Sequence, residues 1–430
     1  MASYDVIIRN GYLQERDSVV DIAIEDSKIA SVEADISETA TEIIDAEENL
    51  VTPSFTDCHM HADRSFALCG GRHPVGNEYE PDSIGLRSTY ANKEFDEHFN
   101  NITKEELTEN IIRDIQGTVA AGSGYVRTHL GLDHVSDPMM MEATLDARKA
   151  VQDIVDVQIV PFVVNSLFDE DVRELLEECI EMGISQVNND EILMGGIGTG
   201  SEEGKEIDRT INEWFAFAKK YDLDLDVHIQ DHGSLGAYTI ERLLQATEAN
   251  DYEGRVTGSH CYGLAHLPDE WQNQILDHIA ELNIKLTTCY SSTPCSWPLR
   301  ECLHKNIPIG HGTDNTHDYI MPYGVSDSIT GLLIESVKLT DFEGYSEDIF
   351  WYQSNEGFRS LWELVTHKGA SVLGIEDYGI TEGTAADIVV LDEPSREWAI
   401  TRQANRRYVL KEGSIIAKDD TLLPEYNALE

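Results

Sequence analysis

Residues 51–66 read Val51-Thr-Pro-Ser-Phe-Thr-Asp-Cys-His-Met-His-Ala-Asp-Arg-Ser-Phe66. An apolar run ends in two histidines with one residue between them, His59 and His61. Side chains repeat every second residue on a strand, so both imidazoles would point the same way. Two imidazoles at a strand end can hold a metal ion. The alternative is a solvated strand end with two surface histidines. These two residues alone do not distinguish a metal site from a surface strand end, so the rest of the sequence is needed.

The composition is that of a globular protein with an unusual charge. The chain has 430 residues, 41% of them hydrophobic, which is enough for one large and one small domain. It carries 80 acidic and 31 basic residues, a formal net charge of -49. Nucleic acids bind basic surfaces, so we expect no nucleic-acid partner. A dispersed acidic surface over a normal core indicates a halophilic protein, whose self-repulsion is screened by salt.

The cysteines indicate a reducing compartment. There are seven, with no Cys-x-x-Cys spacing, which argues against a disulfide framework in a chain of this size. The first residues lack the basic and apolar segments of a secretory signal. No apolar run reaches the length of a membrane span. We therefore expect a cytoplasmic protein without a membrane partner.

Short apolar strands alternate with helical patterns between residues 53 and 378. Eight such pairs predict an α/β fold, a (β/α)8 TIM barrel rather than an open doubly wound sheet. The predicted strands are 53–60, 124–130, 157–164, 184–188, 223–229, 255–260, 284–289 and 307–312. Neither residues 1–52 nor residues 379–430 contain enough strands for a stable sheet alone, so we expect both ends to form one small β-sandwich. Long helices outside a barrel often associate, which favours a homo-oligomer.

Residues 67–103 form an unusually long connection after the first predicted strand. They contain several glycines and prolines among many polar residues. Such a segment is either a flexible surface loop or, on a barrel, a lid over the catalytic mouth.

Polar residues stand at the ends of the predicted strands. A barrel gathers the C-terminal ends of its strands around one pocket. Besides His59 and His61, these ends carry His129, His228, His260 and Asp314. Each histidine alone could have a structural role, and for His129 both interpretations stay open. The joint placement of the others at the ends of strands one, five, six and eight favours a common site.

The predicted ligands of one divalent metal ion are His59, His61, His228 and Asp314, since three histidines and a carboxylate suffice for a mononuclear site with an open position. Zinc is the first choice, with iron and manganese as alternatives. Such an ion lowers the pKa of a bound water molecule towards neutrality. His260 would stabilise the attacking oxygen, and Asp314 would also accept the proton and pass it on.

Further stretches extend this pattern nearly from end to end. They are Asp5-Val-Ile-Ile-Arg-Asn-Gly-Tyr-Leu13, Val126-Arg-Thr-His129, Gly254-Arg-Val-Thr-Gly-Ser-His260, Thr287-Thr-Cys-Tyr-Ser-Ser-Thr-Pro294, Ser371-Val-Leu-Gly-Ile375 and Glu397-Trp-Ala-Ile400. With the metal motifs, they make the chain resemble the amidohydrolase superfamily, whose members have a (β/α)8 barrel flanked by a small β-sandwich from both termini. Residues 186–191, at the end of predicted strand four, hold no lysine. The resemblance is therefore to the mononuclear deaminases, within them to the cytosine deaminase group.

Several positions depart from the pattern of that group. Cytosine deaminases have a glutamate proton shuttle where this chain has Asp231, and members that act on s-triazines have a histidine where it has Gln230. Asp231, with Gln230 beside it, is the predicted replacement, although a glutamine exchanges no protons at neutral pH. Both kinds of enzyme grip the ring with a glutamine where this chain has Val164 followed by Asn165. Arg64 replaces a lysine, and is either a substrate-binding cation or part of a salt bridge on the acidic surface.

The resemblance implies a hydrolase acting on carbon–nitrogen bonds other than peptide bonds. The expected reaction is deamination or dealkylamination of a small cyclic amidine, such as cytosine or an s-triazine of the N-isopropylammelide type. The predicted substrate-binding residues are Arg64, His129, Val164, Asn165, Trp297, Asn315 and Tyr319. Two alternatives stay open: ring opening of a cyclic amide of the hydantoin or imidazolone type, and a metal-binding homologue without turnover.

Overall fold

The structure of the chain is a computed structural model. It describes residues 4–67, 99–132, 138–164, 166–197, 206–265, 267–290, 297–318, 321, 323–339 and 351–429. Most of the predicted lid, residues 67–103, lies outside these ranges, so the lid stays a prediction.

Strands make up both chain ends and the parallel centre of the fold. The N-terminal strands are β1 (Tyr4–Leu13), β2 (Ser18–Glu25), β3 (Lys28–Glu33), β4 (Ala40–Asp45) and β5 (Val51–Pro53). The central strands are β6 (Phe55–Met60), β7 (Ser123–Gly131), β8 (Asp156–Phe162), β9 (Met194–Ile197), β10 (Leu225–His228), β11 (Val256–Ser259), β12 (Lys285–Cys289) and β13 (Ile309–Gly312). The C-terminal strands are β14 (Ile388–Leu391), β15 (Arg406–Lys411), β16 (Ser414–Lys418) and β17 (Thr421–Leu422).

Helices alternate with the central strands, which confirms the predicted α/β fold. They are α1 (Lys104–Ala120), α2 (Met139–Val151), α3 (Glu170–Ile184), α4 (Ile207–Tyr221), α5 (Gly233–Ala249), α6 (Asp269–Glu281), α7 (Leu299–His304), α8 (Ser328–Leu339), α9 (Asn355–Leu364), α10 (His367–Leu373) and α11 (Arg396–Arg402). In the described ranges, no helix combines the length and the apolar character that crossing a membrane requires.

The central strands lie side by side in chain order, in two parallel sheets. One sheet contains β6, β7 and β8, and the other runs from β9 to β13. Single bridges join the sheets at both edges, between Ile159 and Ile192 and between Met60 and Asp314. The regular hydrogen bonding between neighbouring central strands is thus interrupted twice. The eight strands do not form the one continuous closed sheet of the predicted barrel. The second bridge brings the end of β6 next to the residue that follows β13, where the predicted ligands stand.

The predicted fourth strand at residues 184–188 is wrong. Helix α3 continues to Ile184, and the strand is β9, Met194–Ile197. Its two central residues are glycines, which are depleted in strands, so the sequence of β9 lacks the run of apolar residues by which a buried strand is recognised. Packing requires a glycine there, because a Cβ atom on Gly196 would lie 2.4 Å from the side chain of Trp214. No lysine stands at the end of β9 either, because the first lysine after this strand is Lys205, eight residues beyond Ile197.

The two chain ends contribute to two sheets that share one core. The first sheet has the order β3-β2-β1-β4, and the second has the order β17-β16-β15-β14-β5. Ile8 and Ile22 of the first sheet belong to the same buried cluster as Ile388, Val390 and Leu410 of the second. Strand β5 joins the C-terminal strands just before the chain enters β6. The domain boundaries 1–52, 53–378 and 379–430 stay a prediction.

Glu335, in helix α8, is a buried acid outside the histidine-rich region. Its side chain is fully buried, and neither carboxylate oxygen makes a hydrogen bond to any described residue. Burial raises the pKa of Glu335 from 4.5 to about 7, and the nearby positive charge of Lys338 opposes this only in part. An unsolvated carboxylate without donors is costly, so the folded chain favours the protonated form.

The change Glu335→Gln is expected to stabilise the fold at pH 8 but not at pH 5. The folded chain binds more protons than the unfolded chain between about pH 4.5 and pH 7, so ionisation of Glu335 lowers the free energy of unfolding as the pH rises. The expected gain at pH 8 is about 3 kcal/mol. Denaturant unfolding at both pH values and constant salt measures it, with the exposed Glu248→Gln as control. An equal gain at both pH values would contradict the assignment.

Candidate metal centre and active site

Five buried histidines form one cluster at the ends of the central strands. They are His59, His61, His129, His228 and His260, and none is more than 4% exposed. The ring centroid of His59 lies 3.9 Å from that of His129, 4.7 Å from those of His228 and His260, and 5.1 Å from that of His61. The histidines predicted at the ends of strands one, two, five and six therefore meet in one place.

Asp314 and His260 reach this cluster through a left-handed backbone. Their φ angles are 64° and 70°, which residues other than glycine seldom adopt. Neighbouring strands hold both residues, since His260 N donates to Thr287 O at 2.9 Å and Asp314 N donates to His59 O at 2.8 Å. Unusual backbone conformations that the surroundings enforce concentrate at functional sites.

The ligand atoms of the predicted metal site converge. His61 Nε2 lies 3.2 Å from His228 Nε2 and 3.6 Å from Asp314 Oδ1. The same carboxylate oxygen lies 3.9 Å from His59 Nε2, which makes no hydrogen bond within the described ranges. The ligand atoms of His59, His61 and Asp314 all lie within 4.8 Å of one another, and so do those of His59, His129 and His228.

The imidazoles are in the form that binds a metal ion. Burial, and then the neighbouring charges, hold the pKa values of His59, His61 and His228 well below 6.5. His228 Nδ1 lies 3.0 Å from the carbonyl oxygen of Gly196. A carbonyl only accepts, so Nδ1 carries the proton and Nε2 presents its lone pair to the cluster. Neutral nitrogens that face one another beside a carboxylate fit a divalent cation.

Arg64 lies inside the protein, next to the cluster. It is 8% exposed, and its Nε lies 3.7 Å from Asp63 Oδ1. After burial, its charge is the largest cause that lowers the pKa of His61. Asp63 also accepts a hydrogen bond from Gly131 N at 3.0 Å. The interpretation of Arg64 as part of a surface salt bridge therefore does not fit its position.

Two other predicted substrate residues have partners within the protein. Trp297 is buried, and its indole Nε1 donates to the carbonyl oxygens of His260 at 3.0 Å and Cys261 at 3.2 Å. It thus supports the chain just after β11. Asn315 is buried and donates from Nδ2 to the carboxylate of Asp318. Their predicted contact with a substrate stays a prediction.

The predicted proton shuttle is attached to helix α5. Asp231 is 6% exposed, and its Oδ2 accepts a hydrogen bond from the Thr239 hydroxyl at 2.9 Å. Gln230 and Val164 are half-buried. Asn165 and Tyr319, the remaining predicted residues, lie outside the described ranges.

Two residues that lie next to the cluster were not predicted from the sequence. The sulfur of Cys289 offers a ligand atom within 4.8 Å of those of His59 and His260. The ring centroid of Phe162 lies 4.9 Å from that of His228. Both are the last residues of their strands, β12 and β8. The strand-end rule that found the histidines could have found them as well.

The chain is similar to known proteins over nearly its whole length. A sequence model described as Amidohydrolase family matches residues 93–417. The chain is 37% identical over 427 residues to N-isopropylammelide isopropyl amidohydrolase of Pseudomonas sp. (strain ADP), covering 98% of this chain and 99% of the relative.

Solved structures share the fold. N-isopropylammelide isopropylaminohydrolase from Burkholderia multivorans superposes with a TM-score of 0.82 at 23% identity, over 98% of this chain and 100% of that one. The 5-methylcytosine deaminase of Klebsiella pneumoniae has a TM-score of 0.80 at 21% identity, over 96% and 97% of the chains. The predicted resemblance is confirmed: this chain belongs to the amidohydrolase family, and it is a hydrolase of carbon–nitrogen bonds other than peptide bonds.

Proposed function

We propose that the chain hydrolyses the exocyclic carbon–nitrogen bond of a cyclic amidine, with N-isopropylammelide as the first candidate substrate. The observation that carries the proposal is the convergence of three neutral imidazoles and the Asp314 carboxylate in one buried cluster. The relative at 37% identity, which is named for that substrate, supplies the substrate class. Cytosine and other amino-substituted pyrimidines are the second candidates.

The proposed ligands of one divalent ion are His59, His61, His228 and Asp314, with zinc as first choice and iron or manganese as alternatives. Such an ion supplies an activated water molecule near neutral pH. We also propose that the eight central strands act as one barrel, flanked by a β-sandwich domain of residues 1–52 and 379–430. That arrangement gathers the strand ends into one pocket.

The remaining residues of the cluster have proposed roles in proton transfer and binding. Water replaces the amine on the ring carbon: a carbon–oxygen bond forms, the carbon–nitrogen bond breaks, and one proton of the water goes to the leaving nitrogen. Asp314 accepts that proton, and Asp231, with Gln230 beside it, passes it first to the ring and from there to the leaving amine. His260 stabilises the oxygen.

Residues around the cluster would bind and orient the ring. Their proposed members are Arg64, His129, Val164, Asn165, Trp297, Asn315 and Tyr319. The buried charge of Arg64 beside His61 suits a ring that carries oxo groups, since a cation hydrogen-bonds to such acceptors.

A substrate panel tests the proposed function. The metal-loaded chain is assayed on N-isopropylammelide, on cytosine and on hydantoin, with ammonia and alkylamine measured separately from ring opening. Amine or ammonia release from either of the first two substrates is expected. Ring opening of hydantoin alone would favour the cyclic amide alternative, and inactivity towards all three despite bound metal would overturn the proposal.

We propose a cytoplasmic, halophilic protein that acts on a small molecule, and a homo-oligomer. The described cysteines are all buried, as suits a reducing compartment: Cys58, Cys179, Cys261, Cys289 and Cys302. Size-exclusion chromatography with light scattering tests the homo-oligomer, and a monomer at all concentrations would contradict it.

Transfer from molar to millimolar KCl is expected to unfold the chain. With a net charge of -49, the self-repulsion of the acidic surface grows as screening is removed. Far-UV circular dichroism over a salt series measures the loss of structure. An unchanged spectrum and an unchanged unfolding temperature in dilute buffer would contradict the halophilic proposal.

A further inference from the structure

A line of buried polar side chains runs beneath the histidine cluster. Arg127 Nη1 lies 2.8 Å from Asp226 Oδ2, and the other carboxylate oxygen, Oδ1, accepts a hydrogen bond from Ser259 Oγ at 2.7 Å. Ser259 Oγ in turn lies 3.2 Å from His59 Nδ1. Arg127 is 2% exposed, and the other three side chains are fully buried. The line therefore joins a fixed ion pair to one of the proposed metal ligands.

The direction of each hydrogen bond in this line follows from chemistry. The carboxylate of Asp226, paired with a guanidinium, only accepts, so the Ser259 hydroxyl donates its one proton to it. The Ser259 oxygen can then only accept from His59, which places the imidazole proton on Nδ1. A neutral imidazole carries one proton, so Nε2 keeps its lone pair. That atom faces the Asp314 carboxylate at 3.9 Å and makes no hydrogen bond within the described ranges.

The Asp226 carboxylate has several buried neighbours. Besides the Arg127 guanidinium and the Ser259 hydroxyl, His129 Nε2 lies 3.7 Å from Asp226 Oδ2. Arg127 is anchored in its turn, since its Nε donates to Gln158 Oε1 at 2.9 Å. The acceptor at the far end of the line is therefore fixed in place by its hydrogen-bond partners.

His228 has a simpler version of the same arrangement. Its Nδ1 donates to the backbone carbonyl of Gly196 at 3.0 Å. A backbone acceptor cannot be removed by a side-chain substitution, whereas the acceptor of His59 can. His59 is thus the ligand at which the effect of orientation can be measured.

We propose that Asp226, acting through the Ser259 hydroxyl, is a positioning residue that holds His59 in the tautomer and orientation in which Nε2 receives the metal ion. This inference rests on the proposed function, because it takes His59 as a ligand. Partners of this kind orient ligand imidazoles, and their loss weakens metal binding by about 10- to 100-fold. If the ion pair between Arg127 and Asp226 served only to stabilise the fold, Ser259 would not have to connect Asp226 with His59.

Cobalt binding to the full chain tests the inference without reference to turnover. Competition with a chelator gives the dissociation constant of Co(II), and its visible spectrum reports the ligand geometry. The change Ser259→Ala is expected to weaken Co(II) binding by about 10- to 100-fold, and Ser259→Thr, which keeps the hydroxyl, to restore most of the affinity. Ser123→Ala, which removes a buried strand serine that pairs with Ser328 instead of a histidine, is the control and should bind as the unchanged chain does.

Two results would overturn the inference. One is a Ser259→Ala chain that folds and binds Co(II) within about twofold of the unchanged chain, outside the range expected for an orienting partner. The other is an unchanged chain that binds no Co(II), which would overturn the proposed metal site as well. If Ser259→Ala does not fold, Ser259→Cys gives the same comparison, because a thiol is a weak donor and acceptor.

Discussion

Replacing Asp314 by asparagine is expected to lower kcat by about 10²- to 10⁴-fold. The amide keeps the shape of the side chain, so the left-handed backbone and its bonds to the end of β6 can persist. It removes the negative charge that faces His59 at 3.9 Å and His61 at 3.6 Å. It also removes the proposed acceptor for the proton of the attacking water molecule. Steady-state rates of amine release measure the change.

The Asp314→Asn experiment needs a control for the substitution itself. Asp377→Asn makes the same chemical change at an exposed position in the connection between α10 and β14, and should leave kcat unchanged. Metal analysis of both variants separates loss of the ion from loss of proton transfer. If kcat of Asp314→Asn stays within about tenfold of that of the unchanged chain, Asp314 is neither a metal ligand nor the base.

The change His260→Asn is expected to lower kcat by about 10²- to 10³-fold while the metal content stays the same. His260 lies in the cluster, its ring 4.7 Å from His59, but it is proposed to stabilise the reacting oxygen and not to hold the ion. Rates and metal content measured on the same preparation test both parts. His278→Asn, on helix α6, is the control and should change neither.

Loss of metal from His260→Asn would contradict this division of roles. That outcome would favour an alternative set in which His59, His260 and Cys289 bind the ion, since their ligand atoms also lie within 4.8 Å of one another. An unchanged kcat would remove His260 from the reaction altogether.

The strand-end histidines could be predicted because two rules act together. Strand periodicity aligns His59 with His61, and a parallel α/β fold collects the ends of its strands. To place each of these histidines in the cluster, it was enough to predict the strand that it follows. Strand β9 was misplaced because its two glycines carry no strand signal, although the packing of Trp214 against Gly196 requires one of them.

The supporting residues could not be predicted, because their roles depend on contacts between distant segments. Asp226 and Ser259 look like ordinary polar residues of short strands, and only the paired register of β10 and β11 brings Ser259 next to His228 and its oxygen to His59. The sequence suggests only a substrate-binding role for Trp297, and the hydrogen bond from its indole to the carbonyl oxygen of His260 appears only in the structure. The hydrogen bond of Asp231 to Thr239 is likewise invisible in the spacing from His228.

Metal reconstitution tests the central claim most directly. The chain is stripped with a chelator, zinc is added back in steps, and isopropylamine release from N-isopropylammelide is followed beside the bound metal. The rate is predicted to be negligible in the stripped chain and to rise in proportion to bound metal up to one ion per chain. A stripped chain as active as the loaded one, or a rate that rises only as a second ion binds, would contradict the account.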